Sequence, residues 1–172
     1  MTDRLERLWA GWRGDYVRAT ASADLSEEAH ECVLCAVMAE LDSVASVQVV
    51  HRGDLVEVLL NAYPYNNGHM LVLPKRHTAD LDQLDKAEHS ELWDCVTDGV
   101  RALKLAYETD GINVGVNQGR AAGAGIPGHI HVHVLPRWSG DTSFTTAVAG
   151  TRIVPESLDE SSERLRLAWP VT

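Results

Sequence analysis

No apolar run in this chain approaches the ~20 residues needed to cross a bilayer. The longest, such as Met70-Leu71-Val72-Leu73-Pro74, have only strand length. A membrane-spanning helix is therefore not expected. Positive charge is also scarce: 15 Lys and Arg stand against 25 Asp and Glu, for a formal net charge of −10. Polymeric nucleic acid, which selects basic surfaces, is a poor partner for such a chain. A phosphate-bearing ligand would have to be small and held by local donors, because the overall field repels anions. Cysteine is sparse and odd in number, with Cys32, Cys35 and Cys95 in 172 residues. That argues against a disulfide scaffold and for reduced or metal-bound thiols. The first residues, Met1-Thr2-Asp3-Arg4-Leu5-Glu6-Arg7, mix acids with bases and lead into no apolar stretch, so the expected location is cytoplasmic.

The length fits one domain with a real core, and the chain holds no internal repeat. Residues 1–26 read as an N-terminal helix and connector: Leu5, Leu8, Trp9, Trp12 and Tyr16 recur at helical spacing, and Ala19 to Ser26 is rich in Ala, Ser and Asp. Residues 27–150 carry the main body. There Val47–His51, Val56–Asn61 and His69–Pro74 read as strands of an antiparallel meander, separated by Arg52-Gly53-Asp54 and by the turn from Tyr63 to Gly68. Leu92, Val96, Val100, Leu103 and Tyr107 predict one long helix, opened by an Asp85/Glu88 capping box and closed at Gly111, with Cys95 on its core face. Two further strands, Ile112–Gln118 and His129–Arg137, complete an α+β fold with an antiparallel sheet of about five strands, one long helix and shorter helices. Residues 151–172 read as a C-terminal arm, in which Leu158, Leu165 and Leu167 pack on the body or on a partner subunit.

The richest chemistry lies in His129-Ile130-His131-Val132-His133-Val134-Leu135. On a strand, His129, His131 and His133 share one face while Ile130, Val132 and Val134 face the core. Such a row can chelate a zinc ion that activates water, or it can supply an imidazole nucleophile for phosphorus with neighbours that orient it. The preceding segment, Asn117 to Gly128, holds four glycines, which let backbone N–H groups approach an anion. That places phosphate beside the imidazoles. Cys32-Val33-Leu34-Cys35 has metal-ligand spacing, yet a single C-x-x-C needs two more ligands from distant segments.

The chain resembles the histidine-triad family, whose signature of three histidines alternating with apolar residues is met from His129 to Leu135. Leu8 to Arg13, Asn61 to His69 and Pro136 to Phe144 resemble the branch acting on diadenosine polyphosphates. The resemblance spans roughly Leu8 to Leu158.

It implies a nucleotidyl hydrolase or transferase that cleaves diadenosine tri- or tetraphosphate at the α-phosphorus, with water or phosphate as acceptor. By the same resemblance His131 is the nucleophile, His133 stands near the scissile bridging oxygen, and His129 completes the triad. Asn61 falls where the family binds ribose, Gln118 where an amide meets the α-phosphate, and His69 where a histidine supports the triad. Many relatives carry a polar side chain at or beside Gly125 and Ile126, where this chain must use backbone donors. Ser143, among the hydroxyls and aromatics from Trp138 to Phe144, would meet distal phosphates or a second base, with Arg120 and Arg137 as further cationic donors. Some relatives join a Cys-x-x-C pair to two histidines around structural zinc, and the matching residues here are Cys32, Cys35, His77 and His129. A homodimer is implied as well, and a divalent cation such as magnesium would accompany the polyphosphate. An adenosine phosphoramidate hydrolase, a non-catalytic nucleotide-binding module and a zinc hydrolase with its metal on the triad are the alternatives. His30, His51 and His89 read as surface residues.

Overall fold

The computed structural model describes residues 32–39, 48–141 and 156–170. The helix expected before Tyr16, the connector Ala19–Ser26, His30 and Ser143 lie outside the described residues. Within them the fold is α+β. Strands β1 (Val49–Arg52), β2 (Val56–Leu60), β3 (Met70–Pro74), β4 (Gly111–Val116) and β5 (Val132–Arg137) form one antiparallel sheet in the order β1-β2-β3-β5-β4. Three helices accompany it: α1 (Val33–Ala39), the long α2 (Lys86–Tyr107) and α3 (Leu158–Ala168). Among the described residues, no helix is long and apolar enough to cross a membrane.

Alternation sorts the strand residues onto two faces. Val56, Val58, Leu60, Met70, Val72, Val132 and Val134 pack with Leu92, Cys95, Val96 and Leu103 of α2 and Leu165 of α3. Leu59, Leu71 and Leu73 point the other way, onto Cys32, Leu34 and Met38 at and within α1. The sheet is thus covered on both sides, and the histidine row belongs to the α1 side.

Helix α2 begins as its sequence predicts. Asp85 accepts from the Ala87 and Glu88 amides while the Glu88 side chain reaches back to the Asp85 amide. Its end differs, because Glu108 takes the left-handed position (φ 46°) and Gly111 opens β4 instead. Leu158 and Leu165 pack inward as expected, but Leu167 is 82% exposed, since it lies two residues from Leu165 on a helix of 3.6 residues per turn. His51 is half-buried rather than a surface residue, stacked on Trp169 just past α3 (ring centroids 4.8 Å apart). His89 is exposed and accepts from the Trp93 indole.

The β2–β3 turn fixes the approach to the site. Gly68 has φ +71°, and a Cβ there would lie 2.7 Å from a Tyr107 ring carbon, so only glycine fits. Asn66 ties the turn to β5 through the Pro136 carbonyl and to Asp141.

Candidate active site and metal centre

β5 begins at Val132, so His129 and His131 precede the sheet ladder and His133 lies within it. The segment is anchored otherwise: the Ile130 amide donates to the Thr78 carbonyl. His129 is fully buried and His131 is 5% exposed, so the imidazole face is shielded at these two residues as well as the apolar face, while His133 stays partly exposed.

Hydrogen bonds assign the proton on each ring. A main-chain N–H can only donate, so His69 Nδ1 accepts from the Tyr65 amide (3.1 Å), and Asn61 Nδ2 stands 3.4 Å from the same nitrogen. The His69 proton is therefore on Nε2, 3.0 Å from His133 Nδ1, to which it donates. His133 in turn carries its proton on Nε2. His131 Nδ1 donates to the His129 carbonyl at 2.8 Å, which leaves a lone pair on His131 Nε2. A nucleophilic nitrogen and an N–H donor thus occupy neighbouring rings whose centroids are 5.0 Å apart. Burial keeps both rings neutral: it lowers His131, and it brings His133 down to about 4 with help from the adjacent His131.

The first histidine of the row faces the other way. His129 Nε2 donates to the Pro74 carbonyl (2.9 Å), which frees Nδ1 as a ligand. That Nδ1 lies 3.5 Å from Cys32 Sγ and 3.4 Å from Cys35 Sγ, and His77 Nδ1 lies 3.3 Å from Cys35 Sγ. All four ligand atoms fall within 4.8 Å of one another. A tetrahedral ion with bonds of 2.0–2.3 Å sets its ligands ~3.3–3.8 Å apart, so the donor set fits a metal ion. Without one, burial and the neighbouring Cys32 push the Cys35 thiol up to about 11, and burial brings His129 down to about 4. Among the described residues this is the one such cluster, and no carboxylate set for magnesium accompanies it.

The other expected contacts divide. Asn61 closes the turn, accepting from the Tyr63 amide while its Nδ2 approaches His69. Gln118 is held by the turn after His77, donating to Asp80 and accepting from the Leu81 amide. In the glycine loop the amides of Ala122, Gly123 and Ala124 are spent on the Gly119 and Arg120 carbonyls. Among the described residues those of Gly125 and Ile126 donate to nothing, while the Ile126 side chain packs against the apolar cluster on the α1 side of the sheet. Arg137 is not a free cation: Asp141 takes it at 2.6 and 2.8 Å and Asn113 at 2.8 Å, and this pairing holds the Asp141 carboxyl far below its ordinary range. Trp138 lies edge-on to Tyr107 of α2, 6.1 Å between centroids, which makes it a packing residue on that side. Tyr65 was not anticipated. Its ring stands 4.6 Å from that of His69 and 6.0 Å from that of His133, a contact that only the pairing of β3 with β5 creates.

Residues 42–140 match the HIT domain. The chain belongs to this family. Among its relatives, "AP-4-A phosphorylase" of Mycobacterium tuberculosis is 36% identical over 97% of this chain and 86% of that protein. The "Bis(5'-nucleosyl)-tetraphosphatase [asymmetrical]" of Schizosaccharomyces pombe is 32% identical over 56% of this chain and 52% of its own. A Zn-bound histidine triad family protein from Mycobacterium smegmatis superposes with a TM-score of 0.67 at 30% identity, covering 82% of this chain and 94% of that one.

Proposed function

We propose that this HIT protein cleaves dinucleoside polyphosphates, of the diadenosine tri- or tetraphosphate kind, through a nucleotidyl group carried on His131. The observation that carries the reading is the chain of ring protons from the Tyr65 amide through His69 to His133, beside the lone pair of His131 Nε2. His131 Nε2 attacks the α-phosphorus, and the bond from phosphorus to the bridging oxygen breaks. The His129 carbonyl, already bonded to Nδ1–H, stabilises the positive charge that His131 gains. A polyphosphate leaves without needing a proton, so the neutral His133 serves as a hydrogen-bond donor to the departing oxygen rather than as an acid. An acceptor oxygen then displaces His131 and breaks the P–N bond. Two easier displacements replace one difficult one.

Phosphate is the favoured acceptor, because the phosphorylase relative is matched along 97% of this chain and the tetraphosphatase along 56%. On this reading diadenosine tetraphosphate and phosphate yield ADP and ATP. Product analysis with and without phosphate tests it: AMP with ATP would assign water instead. His131→Ala should keep nucleotide binding and lose several orders of magnitude in rate, and near-wild-type turnover by that variant would refute the mechanism. Preference for adenosine phosphoramidate by more than about tenfold, ~1.4 kcal/mol of transition-state discrimination, would favour the alternative substrate.

Cys32, Cys35, His77 and His129 would hold a zinc ion, a closed Cys2His2 site that supplies structure rather than an activated water. Committing His129 Nδ1 to that cluster speaks against a metal on the triad itself. Free thiols there suit a reducing compartment, which supports a cytoplasmic location. The protein acts as a homodimer.

A further inference from the structure

Seven arginines fall among the described residues, and their partners sort them. Arg76 pairs with Glu88, Arg101 with Asp98, Arg137 with Asp141 and Arg164 with Glu156. Arg166 donates to the Val49 carbonyl, and Arg52 is likewise engaged. Arg120 stands apart. Its Nε is buried without an acceptor, and among the described residues its side chain has no hydrogen bond or ion pair. A buried guanidinium N–H with nothing to donate to is costly, and in a chain of net charge −10 an uncommitted arginine is not for want of carboxylates.

The position of this arginine is specific. Val116, the last residue of β4, pairs with Val132, next to His131. Arg120 follows four residues later, a stretch of at most ~14 Å. It opens the 3-10 turn Arg120–Ala122 after Gly119 (φ +76°), in the loop that returns to His129 and offers the undonated amides of Gly125 and Ile126. A planar guanidinium in the same loop as amides that have no acceptor among the described residues matches a tetrahedral phosphate better than any uncharged group.

We propose that Arg120 is a phosphate-binding residue of the site, reserved for a phosphate group other than the one His131 attacks. This rests on the function proposed above. Two sources share the chemistry: the leaving polyphosphate chain, or the incoming inorganic phosphate.

Calorimetric titration of the full chain with inorganic tripolyphosphate and with inorganic phosphate, for wild type, Arg120→Ala and Arg120→Lys, tests the assignment without requiring turnover. The expected result is at least about tenfold weaker binding of one probe by Arg120→Ala, partly restored in Arg120→Lys. Loss confined to tripolyphosphate, with slower formation of nucleotidyl-His131, assigns the leaving chain. Loss confined to phosphate, with slower breakdown of that intermediate by phosphate but not by water, assigns the acceptor. Because Arg120 has no side-chain partner among the described residues, the alanine variant should melt no lower than wild type, whereas a structural role would lower its melting point. Equal affinity of wild type and Arg120→Ala for both probes, or no binding of either, overturns the proposal. Binding that depends on Arg120 in a protein that cleaves no dinucleoside polyphosphate would leave this assignment standing and refute the function instead.

Discussion

At the scale of single residues, the site is a set of imidazoles whose protons are assigned from two main-chain groups that cannot titrate, the Tyr65 amide and the His129 carbonyl. The Tyr65 amide fixes His69, His69 fixes His133, and the His129 carbonyl fixes His131. Burial adds a thermodynamic signature. His133 is held down to about 4, whereas an unfolded chain protonates histidine near 6.5. Between those values the unfolded state takes up a proton that the folded state refuses, so stability is full above ~6.5 and is lost as pH falls toward 4. Urea unfolding of metal-loaded protein at pH 7 and pH 5 should show this as a loss on the order of 1–2 kcal/mol attributable to His133. His133→Asn should shrink the loss by that amount. An identical loss in the variant would mean that the depressed group lies elsewhere.

At the scale of elements, α1 has seven residues, too short to be stable alone, and only Leu34 and Met38 bury against the sheet. A metal ion held by the cluster at its start, where Cys32 and Cys35 face His77 and His129, would supply what packing does not. Metal removal by a chelator should therefore lower the melting temperature and expose α1 to proteolysis. Cys32→Ser/Cys35→Ser should match the stripped protein and be insensitive to chelator. Unchanged melting on chelation would reduce the cluster to a chance meeting of side chains. Much of this level is legible in sequence because its signals are local: the β-rich runs of β2 and β3 between turn residues, the periodicity of α2, and the Asp85/Glu88 capping box. The triad is legible for the same reason. What local signals miss is set by distant partners. Nothing near Gly111 announces that Glu108 would take the left-handed cap, and nothing near Arg137 announces that Asp141 would occupy it. Gln118 is captured by a turn 37 residues away, and Tyr65 meets His133 only because β5 inserts between β3 and β4.

At the scale of the whole molecule, the two edges of the sheet are treated differently. The β1 edge is covered by α3, with Arg166 donating to the Val49 carbonyl and Trp169 stacked on His51. Among the described residues no strand pairs with the outer edge of β4: Asn113, Val114 and Gly115 are exposed, and Gly111-Ile112-Asn113-Val114-Gly115-Val116 contains no proline or lysine to block pairing. Its outward groups can be identified. Ile112 faces Pro136, whose carbonyl turns away to Asn66 and which has no N–H, so that pair is not hydrogen-bonded. By alternation Val114 also directs its N–H and C=O to the open edge, while Asn113 and Gly115 bond to β5. Two copies related by a twofold axis can then join β4 to β4 antiparallel, which closes both edges in a ten-stranded sheet. Light scattering should return twice the mass of the 172-residue chain. Val114→Pro removes one outward donor and no bond to β5, so it should yield a folded monomer with an unchanged circular dichroism spectrum. A Val114→Pro protein that stays dimeric would place the interface on another face, and a wild-type monomer would remove the dimer altogether.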